Sequence, residues 1–252
     1  MNNKFVFVVP YYNCQGDILK TVYSVMAQSY DDWRIILIND MSTDRGPQDI
    51  TQLVVKDMSP DMIRRFTLVD NSEKHGEVRN TLEAIKTIED DEVVCRLDGG
   101  DWLVDNDLLW ILNQQYLNPK LAVAWTAHRW GYSATNISGK MNLDHLQVQN
   151  PTVYQHRWVS SHLKTFRCKH LRTVPYKNFL TDGGEHIMIA CDQAVFLPMM
   201  HKSLLDGYSL DFIPIVGYHY NIDLSDKNLF TSERSINQKH SAEMIRARGY
   251  LE

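Results

Sequence analysis

Apolar residues in the first half of the chain alternate between two periods. Lys4 to Val9 carries a continuous apolar run, as a strand buried on both faces requires. From Asp17 to Gln28 the apolar positions are Ile18, Leu19, Val22, Val25 and Met26, which is helical spacing. Arg34 to Ile38 reads as a second strand, ending at Asn39-Asp40. A helix follows near Pro47 to Lys56, with the proline suited to a first turn. Phe66 to Val69 is a third strand, and Glu77 to Ile88 is a helix with Val78, Leu82, Ile85 and Ile88 on one face. Val93 to Leu97 is a fourth strand, Asp105 to Tyr116 a helix, and Leu121 to Trp125 a fifth strand.

This alternation predicts an α/β fold: a mostly parallel, twisted sheet with helices on both faces. Ligands in such sheets bind beyond the carboxyl ends of the strands. The polar residues at those ends are therefore candidates: Pro10 to Asn13, Asn39-Asp40, Asp70-Asn71 and Asp98 to Asp101. The second half is less regular. Tyr132 to Val153 reads as loops, Ser160 to Lys169 as a short helix, and Ala194 to Leu205 as a helix. Phe212 to Val216 reads as a strand and Asn237 to Arg248 as a polar terminal helix. The expected division is 1–118 and 119–252, two halves of one domain.

Composition adds limits. A chain of 252 residues with 44% hydrophobic content can bury one large core or two fused lobes. No apolar run approaches the roughly eighteen residues of a membrane helix. Cys14, Cys95, Cys168 and Cys191 are scattered without paired spacing. That argues against a zinc site or disulfide framework and suits a reducing, cytoplasmic setting. Net charge is −5, yet His145 to Thr181 holds no acid beside Arg157, Lys164, Arg167, Lys169, Arg172 and Lys177. Such a window is either an ordinary basic surface or a wall facing a diphosphate, an acidic glycan or a nucleic-acid backbone.

The densest chemistry lies in Val93 to Leu103, where an apolar strand runs into Asp98-Gly99-Gly100-Asp101. Carboxylates spaced by glycines bring acidic oxygens close to a metal and a diphosphate. Val8 to Asn13 resembles the opening strand and loop of family 2 glycosyltransferases with the GT-A fold. Ser24 to Tyr30 with Ile38 to Asp44, and then Gly76 to Asn80, resemble that family's next blocks, in its order and spacing. Leu97 to Leu103 occupies the place of its acidic motif, over roughly the first 110 residues in all. One departure stands out: the family's Asp-x-Asp has Gly100 at its second acidic position, and the next acid is Asp101.

The resemblance implies a set of roles. Pro10, Tyr11 and Asn13 frame a nucleotide slot, and Asp40 reads the base edge or ribose; read locally, Asp40 is also a turn or helix cap. Arg79 pairs with the donor diphosphate or with Asp98, a structural salt bridge being the plainer alternative. Asp98 and Gly99 contact the nucleotide-sugar. Mn²⁺ or Mg²⁺ is held by Asp98, Asp101 and a late histidine, His219, with His240 and His186 behind it. The family's base, which takes a proton from the acceptor, falls at Asp192, with Glu185 as understudy; Asp192 also suits a helix cap. Apart from the resemblance, the aromatic and basic mix of Trp158, His162, Lys164 and Arg167 suits an acceptor wall for a sugar and equally for a nucleic-acid strand; periodicity alone allows Leu163 and Phe166 buried with Lys164 and Arg167 solvated.

The expected function is transfer of a sugar from a nucleoside-diphosphate sugar, more readily a uridine one, to an acceptor hydroxyl. The expected reaction is metal-dependent and inverting. The acceptor is a glycan, a protein hydroxyl or a hydroxymethylated nucleic-acid base. The alternative is a nucleotide-sugar-binding module without turnover, motivated by Gly100. A nucleotidyltransferase would need a glycine-rich loop with a lysine after the first strand, which Pro10-Tyr11-Tyr12-Asn13 does not provide.

Overall fold

The computed structural model describes residues 2–131, 133, 138–141, 153–222 and 231–252. Most of the expected loop from Tyr132 to Val153, including His145, lies outside them. The strands are β1 (Phe5–Tyr11), β2 (Trp33–Asn39), β3 (Phe66–Asp70), β4 (Val93–Arg96), β5 (Trp102–Leu103), β6 (Leu121–Trp130), β7 (Lys164–Arg167) and β8 (Ser209–Tyr220). The α-helices are α1 (Ile18–Met26), α2 (Gly46–Gln52), α3 (Pro60–Ile63), α4 (Gly76–Ala84), α5 (Leu108–Gln115), α6 (Cys168–Arg172), α7 (Cys191–Leu205) and α8 (Glu233–Arg248).

All eight strands form one sheet, in the order β3-β2-β1-β4-β7-β6-β8-β5. β1 to β4 are mutually parallel, as the strand-helix alternation predicts. β7 enters antiparallel between β4 and β6, β8 runs parallel to β6, and β5 pairs antiparallel with β8, so the sheet is mixed. Every residue of β1 is buried because the strand is covered on both sides. Val6 and Val8 point into a core shared with α4, α6 and α7. Phe5, Phe7 and Val9 point into the opposite core, with α1, α2 and α5. The period of two along one strand thus fixes two layers of helices.

Two segments differ from their sequence reading. Ser160 to Lys169 is no single helix: Lys164–Arg167 is a strand and α6 begins only at Cys168. Thr165 and Phe166 are strand formers, and β7 is hydrogen-bonded on both edges, to β4 and β6. Tertiary pairing therefore overrides a short helical spacing. β8 is also far longer than Phe212 to Val216 and reaches Tyr220, which puts Tyr218 and His219 inside the sheet.

The turn after β4 depends on both of its glycines. The Gly99 N–H donates to the Pro10 carbonyl at 3.1 Å, and a Cβ at Gly99 would sit 2.3 Å from Cβ of Tyr11. Gly100 has φ +99°, a backbone region that side chains disfavour. Gly99→Ala is therefore expected to cost about 2 kcal/mol, typical of overpacking a tight contact. Thermal denaturation checks this: a melting temperature lowered by about 4–8 °C is expected, and an unchanged one would contradict the close approach.

Candidate active site

The parallel strands β1 and β4 deliver the Pro10 loop and Asp98 to the same end of the sheet, where α4 and α7 also begin. A cleft of roughly 530 Å³ opens there, lined by Glu77, Asp98, His162, Asp192 and Tyr220, among others, with the first turns of α8 on its far side. A second hollow of roughly 400 Å³ lies near Asn3, Glu92 and Arg167, by the opposite ends of these strands, and contains none of this chemistry.

Arg96 anchors the cleft floor. Its guanidinium, 4% exposed, reaches Glu77 at 2.8 Å and Asp98 at 3.1 Å. Burial alone would lower the Arg96 pKa; Glu77 and Asp98 raise it instead, so the cation is permanent. Burial, with Asp98 beside it, pushes Glu77 up to about 7 against the pull of Arg96. Asp98 therefore shares its cation with Glu77 rather than with Arg79, which pairs outside with Glu73 at 2.8 Å. Neither Arg96 nor Glu77 stands out in sequence, since one reads as a strand residue and the other as a helix start.

Asp101 faces inward. Its carboxylate accepts from the Tyr218 hydroxyl at 2.6 Å and from the Asn221 N–H at 2.9 Å. Burial and then Asp98 push it up to about 8. His219 does not join the two aspartates. It pairs with Trp102 in the β5–β8 register and stacks on that indole at 4.0 Å between ring centroids. Side chains alternate along a strand, so the neighbour Tyr218 takes the site-facing position. Of the fallback histidines, His186 bonds the Tyr176 hydroxyl at 2.7 Å.

Three of the residues read as acceptor-side or catalytic meet here. His162 stacks between Tyr218 and Tyr220, at 4.6 and 5.1 Å, with Nδ1 3.9 Å from an Asp98 oxygen. Burial, then Lys164, pushes His162 down to about 4, leaving it neutral at physiological pH. Lys164, 1% exposed, places its ammonium 2.7 Å from Oδ1 of Asp192 in the first turn of α7. Burial would raise the Asp192 carboxyl, but Lys164, His162 and Arg96 outweigh it and hold it at about 2. Trp158 packs at the core edge, with the Lys164 ammonium 6.0 Å from its ring.

The remaining candidates are placed elsewhere. Glu185 is exposed in the loop before α7 and does not line the cleft. Arg167 sits at the far end of β7, bonded to the Asp91 carbonyl and Asn3. Arg172 is likewise committed, to Asp90 and to the Ile85 and Ile88 carbonyls. The acid-free window is thus partly neutralised from outside itself and is not a continuous basic wall. On the nucleotide side, Asn13 Oδ1 accepts from the Thr43 N–H at 2.7 Å, closing the Pro10 loop onto the loop after β2. Tyr11 is buried, whereas Tyr12, not singled out in the sequence, is half exposed with the Lys74 ammonium over its ring. Asp40 accepts from the His75 and Gly76 N–H groups at 2.8 and 3.0 Å and from Asn71 at 2.9 Å. It fastens the start of α4 beside the cleft.

The model of the glycosyl transferase family 2 matches residues 6–177. The chain belongs to glycosyl transferase family 2. Its fold is that of GT-A enzymes. Residues 1–349 of S. aureus TarS in complex with UDP-GlcNAc superpose with a TM-score of 0.63 at 15% identity, covering 99% of this chain and 68% of that one. The mannosyltransferase PcManGT of Pyrobaculum calidifontis, in complex with GDP-Man and Mn²⁺, gives 0.63 at 14% identity, covering 91% and 60%. A teichoic acid poly(glycerol phosphate) polymerase of Staphylococcus epidermidis is 31% identical over 86 residues, 34% of this chain. The chain spans 12% of that polymerase's length. No helix among the described residues is long and apolar enough to cross a membrane.

The family often uses a divalent cation, and the donor set here bears on that. No three His, Cys, Asp or Glu side chains come together as ligands among the described residues. Asp98 faces the cleft, while both Asp101 oxygens are engaged by the protein and position 100 has no side chain. This fits the way Mg²⁺ is held at phosphate sites, by one or two carboxylates together with the substrate's own oxygens.

Asp40→Ala removes a buried acceptor of three hydrogen bonds, and a loss of about 2–3 kcal/mol is expected at neutral pH. The hydrogen bonds hold the Asp40 carboxyl below its ordinary value of 3.8 despite burial. Its contribution is therefore full above that value and lost as pH falls through the lowered one. Urea denaturation of both proteins across pH checks this: the stability gap should be constant from pH 7 down to about 5 and close below about 4. A gap that closes nearer neutrality would contradict the assignment.

Proposed function

We propose that the chain transfers a sugar from a nucleoside-diphosphate sugar to an acceptor hydroxyl, inverting the anomeric centre. The observation that carries this reading is that Asp98 and Asp192 line one cleft at the carboxyl ends of the central strands. A uridine donor is favoured by the likeness to TarS, seen with UDP-GlcNAc, although PcManGT is seen with GDP-Man. The Pro10 loop with Tyr11, Tyr12 and Asn13 forms the nucleotide side, and Asp40 holds its neighbouring wall. Residues 1–118 serve mainly the donor, and 119–252 supply the base and the acceptor side.

Asp98 and the donor's phosphate oxygens would hold Mn²⁺ or Mg²⁺, which supplies charge neutralisation to the leaving diphosphate. Asp192, ionised in the cleft, takes the acceptor hydroxyl's proton as the oxygen attacks the anomeric carbon from the face opposite the diphosphate. His162, Tyr218 and Tyr220 give this site an aromatic wall suited to a sugar ring. A glycan or protein hydroxyl suits that wall better than a nucleic acid, because Lys164, Arg167 and Arg172 are already committed. The four free thiols agree with a reducing, cytoplasmic setting.

One observation favours a second reading, nucleotide-sugar binding without turnover. Gly100 stands where the family has an acid, in a backbone conformation that an aspartate would strain. Release of nucleoside diphosphate from UDP-GlcNAc, UDP-glucose and GDP-mannose, with Mn²⁺, Mg²⁺ or chelator and a mixed glycan acceptor pool, separates the readings. Many turnovers per chain with one donor are expected; tight nucleotide binding with no release would favour the binding module. Asp192→Asn should keep donor affinity within about twofold and lower kcat about 10²–10⁴-fold, because the base acts only in the transition state. Equal loss of binding and turnover would mark Asp192 as a structural cap. Asp98→Ala should abolish the response to Mn²⁺, and Mn²⁺ affinity should rise when UDP is present. Metal binding equally strong without UDP would contradict the shared coordination.

A further inference from the structure

Lys164 is the least expected side chain in the sheet. It lies on the short strand β7 between two other strands, 1% exposed, where an apolar residue would cost far less. Its ammonium lies 5.3 Å from the centre of the Phe196 ring, and the only carboxylate it reaches among the described residues is Asp192. The contact is made to Oδ1 alone. Oδ2 of Asp192 accepts from no donor among the described residues, and the side chain is 27% exposed in the cleft.

We propose that Lys164 is a positioning residue for Asp192: it pins one carboxylate oxygen from below, turns the other to the acceptor hydroxyl, and keeps the group ionised among its acidic neighbours. This inference rests on the proposed base role of Asp192. The need for a dedicated cation follows from the surroundings. Glu77 from α4, Asp98 from the turn after β4 and Glu233 of α8 line the same cleft as Asp192, and Asp101 stands turned inward onto Tyr218. Arg96 is shared between Glu77 and Asp98, His162 is neutral, and Arg234 of α8 lies on the open side of the cleft. Tyr220 and Cys191 face Asp192 in uncharged form. Among the described residues, Lys164 is the cation that forms an ion pair with Asp192. Without it, the carboxylate would be free to rotate and would take up a proton more readily. The group is held at about 2, so a base that must be ionised stays competent until strongly acid pH.

The test compares the wild-type chain with Lys164→Met, which keeps the length of the side chain and removes its charge. Carboxyl ¹³C resonances of labelled aspartate are followed against pH, with Asp192 assigned by its disappearance in Asp192→Asn. The wild-type signal should not titrate above about pH 3, and the variant midpoint should rise by at least about one unit. A wild-type midpoint near 4, or equal midpoints, overturns the proposal; the wild-type result decides even if the variant does not fold. Kinetics provide the second readout. The ratio of variant to wild-type kcat/KM should fall as pH drops through the variant's own carboxyl midpoint, reaching about half there, with KM for the donor little changed. A ratio independent of pH would indicate a merely structural lysine. If the wild-type chain transfers no sugar at all, the proposed function fails, and the carboxyl titration still decides the ion pair.

Discussion

The hold of one Arg96 nitrogen, Nη2, on both Glu77 and Asp98 is the constraint on which the site depends. It ties the first turn of α4 to the carboxyl end of β4, with the guanidinium sealed beneath the cleft. The shared cation offsets part of the cost of keeping two carboxylates side by side, and burial with Asp98 still pushes Glu77 up to about 7. The remaining acids are handled in the same way. Asp101 is turned inward onto Tyr218, and Asp192 is matched by Lys164. The outcome is a cleft whose free carboxylate oxygens are few and directed, on a floor that is electrostatically nearly closed.

That arrangement accounts for the unusual Asp98-Gly99-Gly100-Asp101 turn. Gly99 lets the chain touch β1 at Tyr11, and Gly100 takes the positive φ that swings Asp101 away from the cleft and into the sheet. The turn is shaped for close packing against two neighbouring strands, and the acid content of the cleft is lowered at its mouth as a consequence. A donor that brings its own phosphate oxygens to a cation is compatible with such a site. A cage of protein ligands is not what these residues build.

The first four strands and the helices α1, α2 and α4 were legible in the sequence, and α3 was not; β1, β2 and β4 are buried and leave apolar runs such as Phe5 to Val9, whereas β3 is an exposed edge strand. The polar strand ends were legible for the same reason. The second half hid what depends on pairing. β7 is only four residues long and carries Lys164 at its start, so its spacing resembled a helix until two neighbouring strands claimed its backbone. His219 looked like a metal ligand because it follows a strand-like run. It lies within β8, where the register turns Tyr218 to the site and His219 to Trp102, and a shift of one residue reverses every such assignment. Arg96 and Glu77 gave no local signal, since their significance comes from meeting each other between strand β4 and helix α4.

The role proposed for Asp192 is that of a base opposite the departing diphosphate, with no covalent intermediate on the enzyme. The anomeric configuration of the first-formed product tests it most directly, read by proton NMR from an α-linked nucleotide-sugar before mutarotation or further transfer intervenes. A β-linked product is the expected result. An α-linked product would require a different chemical course and would contradict the role given to Asp192 and to the cleft around it.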